Sequence, residues 1–267
     1  MILPATFELL RCRWSTWPVK QAWYSPVKQA ADHFRQHLYL HMQILLTAAT
    51  AMEIGSVSDF VKQKTGKANQ HAFSSLITGV GLVPTTYALM RRFANYRPDL
   101  VIQAGVAGSF TPGKIGDVVA IHEDAFADMG VFEEERFKTI FDLNLGGRND
   151  FPYSNGYLQN PYQALLSLSG LEQLRGISVN TITTAKKTIE WYQQNEKAAV
   201  ESMEGAALHY TCLMEKIPFI QVRAICNEVG ERDKANWKLR DAVIKLNEAL
   251  ISFIQQLNNH YGDQHWI

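Results

Sequence analysis

The chain has 267 residues, and its 26 Lys and Arg residues are balanced by 26 Asp and Glu residues, so the formal net charge is zero. This length suits one large α/β domain, and the lack of a basic excess argues against nucleic-acid binding. The three cysteines have no ligand spacing, which argues against a disulfide framework and fits a reducing cytoplasm, and no apolar run reaches the length of a membrane span.

The first segment, residues 1–41, shows no strand pattern and contains only two acids, Glu8 and Asp32. Such a composition is compatible with a transit peptide, whereas Glu8 and Arg11 interrupt the only apolar stretch and argue against a secretory signal. The interpretation that we favour is an upstream extension, with Met42 as the natural start. We therefore expect an N-terminal extension over residues 1–41, disordered or an over-called start, and one folded domain over residues 42–267.

From Met42 onward, short apolar runs alternate with amphipathic segments. Strands are predicted at 43–50, 74–81, 99–108, 116–128, 176–183, 198–203 and 218–226. Helices are predicted at 84–96, 205–216 and 239–260. Residues 142–160 are rich in Gly and Asn, which predicts a long loop near a functional site. This alternation predicts a single-domain α/β fold of three layers, α/β/α, with a twisted, mostly parallel central sheet.

Two glutamates stand where predicted strands end. Glu53 follows the first strand, and on position alone it is best interpreted as an acid in the first turn of a helix. Glu204 lies between a strand and an apolar helix and follows Met203. A carboxylate among small and apolar residues needs a partner, and a pair of sugar hydroxyls would supply one. A helix-start acid explains Glu204 equally well.

Two further segments end strands with groups that a ligand can use. AGVAGSF, residues 104–110, includes Ala107 and Gly108 and permits a ligand to approach the backbone N–H groups, but the motif is too short to be specific. It is neither a dinucleotide fingerprint nor a P-loop. The strand VRAICN stops on Asn227, and the carboxyl end of a parallel strand is where ligands bind. The alternative is an asparagine that caps the following turn.

Together these segments resemble the nucleoside phosphorylase and nucleosidase family, which cleaves the N-glycosidic bond of purine nucleosides. The resemblance runs from Met42 to about Gln256. VESMEGAA is similar to the family motif whose glutamate binds the ribose hydroxyls, which implies that role for Met203 and Glu204. Counted from Met42, Glu53 falls where nucleosidases place the glutamate that activates water.

The same resemblance covers the other two segments. AGVAGSF is similar to the glycine-rich segment after the family's central strand, which places the backbone of Ala107 and Gly108 near the site. VRAICN is similar to the strand that faces the purine, and Cys226 departs from the family pattern, in which serine is common at this position. The resemblance implies an enzyme that needs water and a nucleoside but no metal or organic cofactor. It also implies a cytoplasmic homo-oligomer, for which we favour a dimer.

Within the family, two motifs resemble futalosine hydrolases, which belong to an alternative menaquinone pathway. They are ADMGVFEEERF, residues 127–137, and N-x-VG-x-RD-x-x-x-W, which runs from Asn227 to Trp237. This branch releases hypoxanthine. An asparagine suits that base, because its amide N–H₂ can donate to N7 and O6 without transferring a proton.

Hydrolysis is preferred to phosphorolysis because AATAMEIGSV, residues 48–57, contains no arginine for phosphate and Glu53 would repel an anion. A carboxylate is suited to taking a proton from water. The alternatives are a methylthioadenosine/S-adenosylhomocysteine-type nucleosidase, a purine nucleoside phosphorylase, a nucleoside-binding module without turnover, and a structural α/β domain. Glu53 separates the enzyme from the binding module, because only chemistry requires it.

The benzoate carboxylate of futalosine implies a cation in the site. Arg232 is the preferred candidate, although Asp233 could pair with it, and Arg148 and Arg136 are better interpreted as solvated surface residues. Trp237 is predicted to be a core residue more readily than a platform for ligand.

Overall fold

The strands and helices follow the predicted alternation. A computed structural model describes residues 42–64, 71–133 and 136–259, with the side chains of Lys64 and Arg136 excepted. The predicted extension, residues 1–41, lies outside the described residues. The strands are β1 (Gln43–Ala48), β2 (Ala72–Ile77), β3 (Leu100–Ser109), β4 (Val118–Asp124), β5 (Gly130–Glu133), β6 (Arg136–Thr139), β7 (Leu158–Gln159), β8 (Glu172–Ser178), β9 (Val200–Ser202) and β10 (Phe219–Glu228).

The α-helices of the described residues are α1 (Ala51–Lys64), α2 (Leu82–Asn95), α3 (Gln163–Leu168), α4 (Lys186–Trp191), α5 (Gly205–Glu215) and α6 (Leu239–Asn259). A π-helical turn, Tyr192–Glu196, continues α4, and a 3₁₀ turn, Lys234–Asn236, precedes α6. Among the described residues, none of these helices is long and apolar enough to cross a membrane.

The main sheet is curved and closes on itself. β10 pairs in parallel with β3 and antiparallel with β4, and the order continues through β8 and β9 back to β3. β1 and β2 extend the sheet in parallel from β3, while β5 and β6 form a separate hairpin. Most ladders of the main sheet are parallel, so the predicted α/β class with a twisted, mostly parallel sheet is confirmed.

Helices cover both faces of this sheet, which gives the predicted three layers. Ile44 and Leu46 of β1 pack in the core beneath α1 and α6, whereas Leu45 packs in the core beneath α2 and α5. Successive side chains of a strand point to opposite faces, so a strand that is covered on both faces must be apolar throughout. This requirement explains why the central strands are continuous apolar runs.

Some elements were not predicted from the sequence. They are α1, α3, α4, β7 and the β5–β6 hairpin. The predicted loop at 142–160 contains β7 at its end, and within it Arg148, Asn155 and Tyr157 line a groove of about 870 Å³ that does not include the site residues described below. The composition of this stretch therefore indicated a loop, but it did not show that these residues line a separate groove.

Candidate active site

A cavity of about 280 Å³ lies where β1, β3 and β10 end, beside β9 and the start of α5. Its lining includes six residues that the sequence indicated for catalysis, ribose binding or backbone contact: Glu53, Ala107, Gly108, Met203, Glu204 and Asn227. The sheet topology explains this convergence, because parallel neighbours in a sheet end at the same edge. Residues that are far apart in the sequence thereby face one space.

Glu53 lies in the first turn of α1, and its side chain is buried. Its Oε2 accepts hydrogen bonds from the backbone N of Thr50 at 2.8 Å and from Thr50 Oγ1 at 2.9 Å. A glutamate three residues after a threonine that accepts the threonine N–H forms one half of a capping box. The second oxygen, Oε1, accepts from Val106 N at 3.2 Å, beside the cavity. The helix-start interpretation therefore accounts for one oxygen of Glu53 and leaves the other for chemistry.

An amide from a distant helix fixes the turn that carries Glu53. In a regular helix Val57 N would donate to Glu53 O, but Ile54 has non-helical φ and ψ of −124° and 15°. Asn247 of α6 occupies the gap: its Nδ2 donates to Glu53 O at 2.9 Å, and its Oδ1 accepts from Val57 N at 2.9 Å. A side chain inserted into the helical ladder is a known cause of a kink. The kink thus fixes the backbone of Glu53.

Glu204 is buried at the N-terminal end of α5 and faces the cavity. Its Oε1 accepts from Gly81 N at 3.0 Å, and its Oε2 lies 3.4 Å from Arg223 Nη1. Arg223 is 1% exposed, and its Nη2 donates to Gln103 Oε1 at 2.9 Å. The guanidinium is the ion-pair partner of this buried carboxylate, whose oxygens are hydrogen-bond acceptors at the wall of the cavity.

Sequence reasoning missed Arg223, although a signal was present. An arginine in the middle of the apolar strand PFIQVRAIC has to be buried, and a buried charge requires a partner. The structure also shows why β3 has a glycine, Gly105, next to Arg223. A Cβ on Gly105 would lie 2.2 Å from Arg223 Nη1 and 3.2 Å from Glu53 Oε1. Gly105 therefore leaves room beside the backbone of β3 for the guanidinium and for the Glu53 carboxylate.

Asn227 is the penultimate residue of β10 and follows a register shift between β10 and β3. Cys226 Sγ donates to Asn227 Oδ1 at 3.1 Å, and Asn227 Nδ2 donates to Glu228 O at 2.7 Å. Burial raises the pKa of the Cys226 thiol to about 11, so the thiol keeps the proton that it donates. The amide is thereby oriented with its oxygen towards Cys226 and with one N–H remaining for a ligand. Cys226 is thus the donor to the oxygen of this side chain.

A third buried glutamate, Glu201 of β9, also lines the cavity, and the sequence gave no reason to select it. Its Oε1 accepts from Thr183 N at 3.1 Å, whereas its Oε2 has no hydrogen-bond partner among the described protein atoms. Burial raises the pKa of this carboxyl above its ordinary value. With Glu231 the cavity has four glutamates in its lining, and no described lining residue is Lys or Arg.

The predicted cations lie elsewhere. Arg232 is exposed, and its guanidinium lies 5.6 Å from the ring centroid of Trp237, which lines the cavity and is half-buried. Arg148 is paired with Asp142 at 2.7 Å in the separate groove, and the side chain of Arg136 lies outside the described residues. Of the two arginines whose side chains are described, Arg232 is the one in contact with a residue of the cavity lining. Trp237 lies at the wall of the cavity rather than in the core.

A buried polar network supports the first turn of α5. Ser178 Oγ donates to Asp124 Oδ1 at 3.0 Å and accepts from Ala206 N at 2.8 Å. A Cβ on Gly205 would lie 2.2 Å from both Asp124 Oδ2 and Gln221 Nε2, so only glycine fits between them. Burial raises the pKa of Asp124 to about 6. The glycine that follows Glu204 is therefore required by packing against this network.

No group of His, Cys, Asp or Glu side chains within the described ranges is arranged to hold a metal ion. Cys212 and Cys226 are free, buried thiols. The chemistry that the described cavity offers is that of carboxylates and an amide.

Comparison with known proteins identifies the family of this chain. The family model of the phosphorylase superfamily matches residues 41–257, and the chain belongs to that superfamily. Among its relatives is a futalosine hydrolase of Thermus thermophilus, 29% identical over 67% of this chain and 79% of that protein. A 5'-methylthioadenosine/S-adenosylhomocysteine nucleosidase of Pseudoalteromonas translucida is 26% identical over 72% of this chain and 83% of that protein.

Solved structures show the same fold. The futalosine hydrolase of Helicobacter pylori matches with a TM-score of 0.68 at 17% identity, over 82% of this chain and 99% of that chain. A mutant form of the Helicobacter pylori methylthioadenosine nucleosidase, with 5'-methylthioadenosine in its active site, matches with a TM-score of 0.67 at 18% identity, over 80% of this chain and 99% of that chain.

Proposed function

We propose that the chain is a hydrolase that cleaves the N-glycosidic bond of futalosine and releases hypoxanthine, as a step of menaquinone biosynthesis. The proposal rests on one observation: Glu53, Glu204 and Asn227 line the same cavity. Such a cleavage requires one group that activates water, one that binds the ribose and one that contacts the base. Relatives named futalosine hydrolase support the choice of substrate.

The hydrolytic step follows from the contacts of Glu53 and Glu204. Glu204 accepts hydrogen bonds from the 2′- and 3′-hydroxyls and fixes the ribose. As the N-glycosidic bond breaks, its electron pair goes to the purine and the anomeric carbon takes on oxocarbenium character. Glu53 Oε1 orients a water towards that carbon and takes its proton as the new C–O bond forms. Met203 contributes to the wall beside the ribose, and the backbone of Ala107 and Gly108 lies against the ligand.

Asn227 is proposed to stabilise the leaving base. Its one remaining N–H is shared in a three-centre hydrogen bond between N7 and O6 of a 6-oxopurine, where negative charge develops as the bond breaks. An aspartate at this position would present an acceptor to O6. Because a site with fixed polar groups rejects a base whose edge leaves them unpaired, we expect preference for hypoxanthine over adenine as the leaving base.

A methylthioadenosine/S-adenosylhomocysteine-type nucleosidase is the second candidate, and one observation favours it. The described lining of the cavity contains Met52 and Val80 but no Lys or Arg, which suits a neutral thioether better than a carboxylate. Arg232, beside Trp237, is the residue that we propose for the futalosine carboxylate. The two candidates therefore differ in what lies beyond the ribose.

We further propose that the enzyme works as a homodimer. Val83, Tyr87 and Met90 of α2 are spaced along one face of the helix and are exposed by 75%, 66% and 38%. The exposed Val80 and Met52 carry this apolar face to the mouth of the cavity. A second copy that covers this face would close the open side of the site.

The test is the release of free base from matched substrates. Futalosine, its 6-amino counterpart and methylthioadenosine are incubated with the protein, with and without phosphate, and the bases are separated chromatographically. We expect hypoxanthine from futalosine at a rate that does not depend on phosphate. Preferential release of adenine from methylthioadenosine would favour the second candidate, and strict dependence on phosphate would indicate a phosphorylase.

An Asn227→Asp variant tests the role of the amide in the same assay. We expect it to lose activity on futalosine, because the aspartate opposes O6. Comparable release of adenine and hypoxanthine by the wild type, from matched substrates, would rule out Asn227 as a selector.

A further inference from the structure

The helix that follows Glu204 begins without the cap that the Glu204 side chain could supply. Glu204 is the N-cap residue of α5, and a side chain at this position ordinarily accepts from the backbone N–H two or three residues further on. The Glu204 carboxylate makes no such bond. Its Oε1 accepts from Gly81 N instead, and its Oε2 faces Arg223. The first N–H groups of α5 therefore need other acceptors.

Two serines on neighbouring strands supply these acceptors. Ser178 of β8 and Ser202 of β9 are paired across the sheet, and both are buried. Ser178 Oγ accepts from Ala206 N at 2.8 Å, and Ser202 Oγ accepts from Gly205 N at 3.3 Å. Ala206 is the second residue of the helix, so Ser178 pairs with an N–H that a capping side chain of Glu204 would otherwise take. The cap from β8 thus leaves the Glu204 carboxylate free to face the cavity.

The hydrogen bonds of these hydroxyls run in one direction and end on Asp124. A hydroxyl has one proton, and Ser178 Oγ donates its proton to Asp124 Oδ1 at 3.0 Å. Ser202 Oγ, which lies 3.2 Å from Ser178 Oγ, is therefore the donor of that pair. Asp124 Oδ1 also accepts from Ala125 N at 2.8 Å, so this oxygen acts only as an acceptor. Asp124 thereby fixes the orientation of both hydroxyls.

We infer that Ser178 is a positioning residue for Glu204, because it caps α5 from β8 and so keeps the Glu204 carboxylate at the wall of the cavity. The inference rests on the proposed function, in which this carboxylate binds the ribose hydroxyls. Without the Ser178 hydroxyl, the N–H of Ala206 loses its acceptor, and the side chain of the N-cap residue is the group that ordinarily replaces it. The carboxylate then turns towards the helix and away from the ribose.

A Ser178→Ala variant tests this role through the contact with the 2′-hydroxyl. A 2′-deoxy substrate lacks one of the hydroxyls that Glu204 binds, so the ratio of kcat/KM for futalosine to that for its 2′-deoxy counterpart measures the contact. We expect this ratio to fall by about tenfold relative to the wild type. A substitution that only destabilises the fold lowers both values of kcat/KM together and leaves their ratio unchanged.

Asp124→Asn and Thr211→Val are the matched controls. An amide oxygen at position 124 still accepts from Ser178, so the cap is kept. Thr211 is buried about two turns further along α5, and its Oγ1 donates to Ala207 O at 2.7 Å, so Thr211→Val removes a hydroxyl from the same helix without changing its cap. Both controls should leave the ratio within about twofold of the wild type. An unchanged ratio in Ser178→Ala, or an equal fall in either control, would overturn the inference.

Nucleoside binding, measured by calorimetry, separates this inference from the proposed function. Inosine and 2′-deoxyinosine are titrated into proteins that also carry Glu53→Gln, which removes the proposed base. If the wild type does not cleave futalosine, the proposed function fails, and the ratio of the two affinities still decides the role of Ser178. We expect inosine to bind more tightly than 2′-deoxyinosine, and Ser178→Ala to reduce this preference. Equal affinities in the protein that retains Ser178, or no binding of either nucleoside, would contradict the inference.

Discussion

At the scale of single residues, the two oxygens of Glu53 have separate tasks. Oε2 caps α1 through Thr50, and Oε1 faces the cavity. Glu53→Gln keeps the cap, because an amide oxygen can also accept from the Thr50 N–H, but an amide cannot take a proton from water. We expect kcat to fall by about 10²- to 10⁴-fold. The free energy of unfolding should fall by about 1–3 kcal/mol, because the amide NH₂ then faces the Val106 N–H that Oε1 accepts from. Steady-state kinetics and urea denaturation measure the two quantities, and near-normal turnover would exclude Glu53 as the base.

Asp124 makes stability depend on pH. Burial raises its pKa from an ordinary value of 3.8 to about 6, so between these values the folded state holds a proton that the unfolded state has lost. The contribution of this group to the free energy of unfolding is therefore complete below pH 3.8 and is lost as the pH rises through 6. Asn at this position has no charge to bury, and its oxygen can still accept from Ser178. We expect Asp124→Asn to gain about 3 kcal/mol relative to the wild type between about pH 4 and pH 7.

Urea denaturation at both pH values tests this expectation, and Asp142→Asn is the control. Asp142 is an exposed carboxyl whose pKa is lowered despite some desolvation, because Thr139 and Arg148 donate hydrogen bonds to it. Its contribution is complete above its ordinary pKa, so the control should gain nothing as the pH rises. A difference between wild type and Asp124→Asn that does not change with pH would show that Asp124 does not titrate in this range.

At the scale of helices, the side-chain amide of Asn247 in α6 forms hydrogen bonds with the backbone of α1. Asn247 completes the hydrogen bond that the kink at Ile54 opens between Glu53 O and Val57 N. Asn247→Leu keeps a similar volume but leaves both groups unpaired or lets α1 become regular, and either result displaces Glu53. We expect turnover to fall by about tenfold to a hundredfold, because small displacements of a catalytic group are costly.

The same variant should lose about 1–3 kcal/mol of stability, as expected for unsatisfied buried groups. Asn247→Asp keeps the acceptor for Val57 N and loses the donor, so an intermediate effect on turnover is expected. Kinetics together with chemical denaturation separate the two effects. Wild-type turnover in Asn247→Leu would show that the kink does not position Glu53.

The central strands were predictable and the kink in α1 was not, and the reason is physical. Strands that are buried on both faces are apolar throughout, a signal that is local in the sequence. The register of α1 depends on Asn247, which lies 190 residues away from Val57. Arg223 is explained only by Glu204 and Gln103, which belong to other elements. Glu53 was identified through family resemblance, because locally it resembles only a helix cap.

At the scale of the whole molecule, the exposed face of α2 predicts association. Tyr87→Glu puts a charge in the centre of this face, and we expect it to convert a dimer into a monomer with reduced turnover. Sedimentation or light scattering measures the change. Ile244→Glu is the matched control, because Ile244 is 49% exposed on α6, in the opposite helical layer. A wild type that is monomeric at assay concentrations would contradict the dimer proposal.

The closure of the sheet also determines how fast the backbone amides around the site exchange with solvent. Arg223 stands on a strand that is hydrogen-bonded on both edges, to Gly105 on one side and to Val119 on the other. Its amide can exchange with solvent only when the whole domain unfolds, whereas Asn227 lies beyond the ladder to β4 and past a register shift. We therefore expect the amide of Arg223 to exchange slowly and that of Asn227 to exchange faster. If Asn227 holds the purine as proposed, the base leaves from the part of the site that opens most readily.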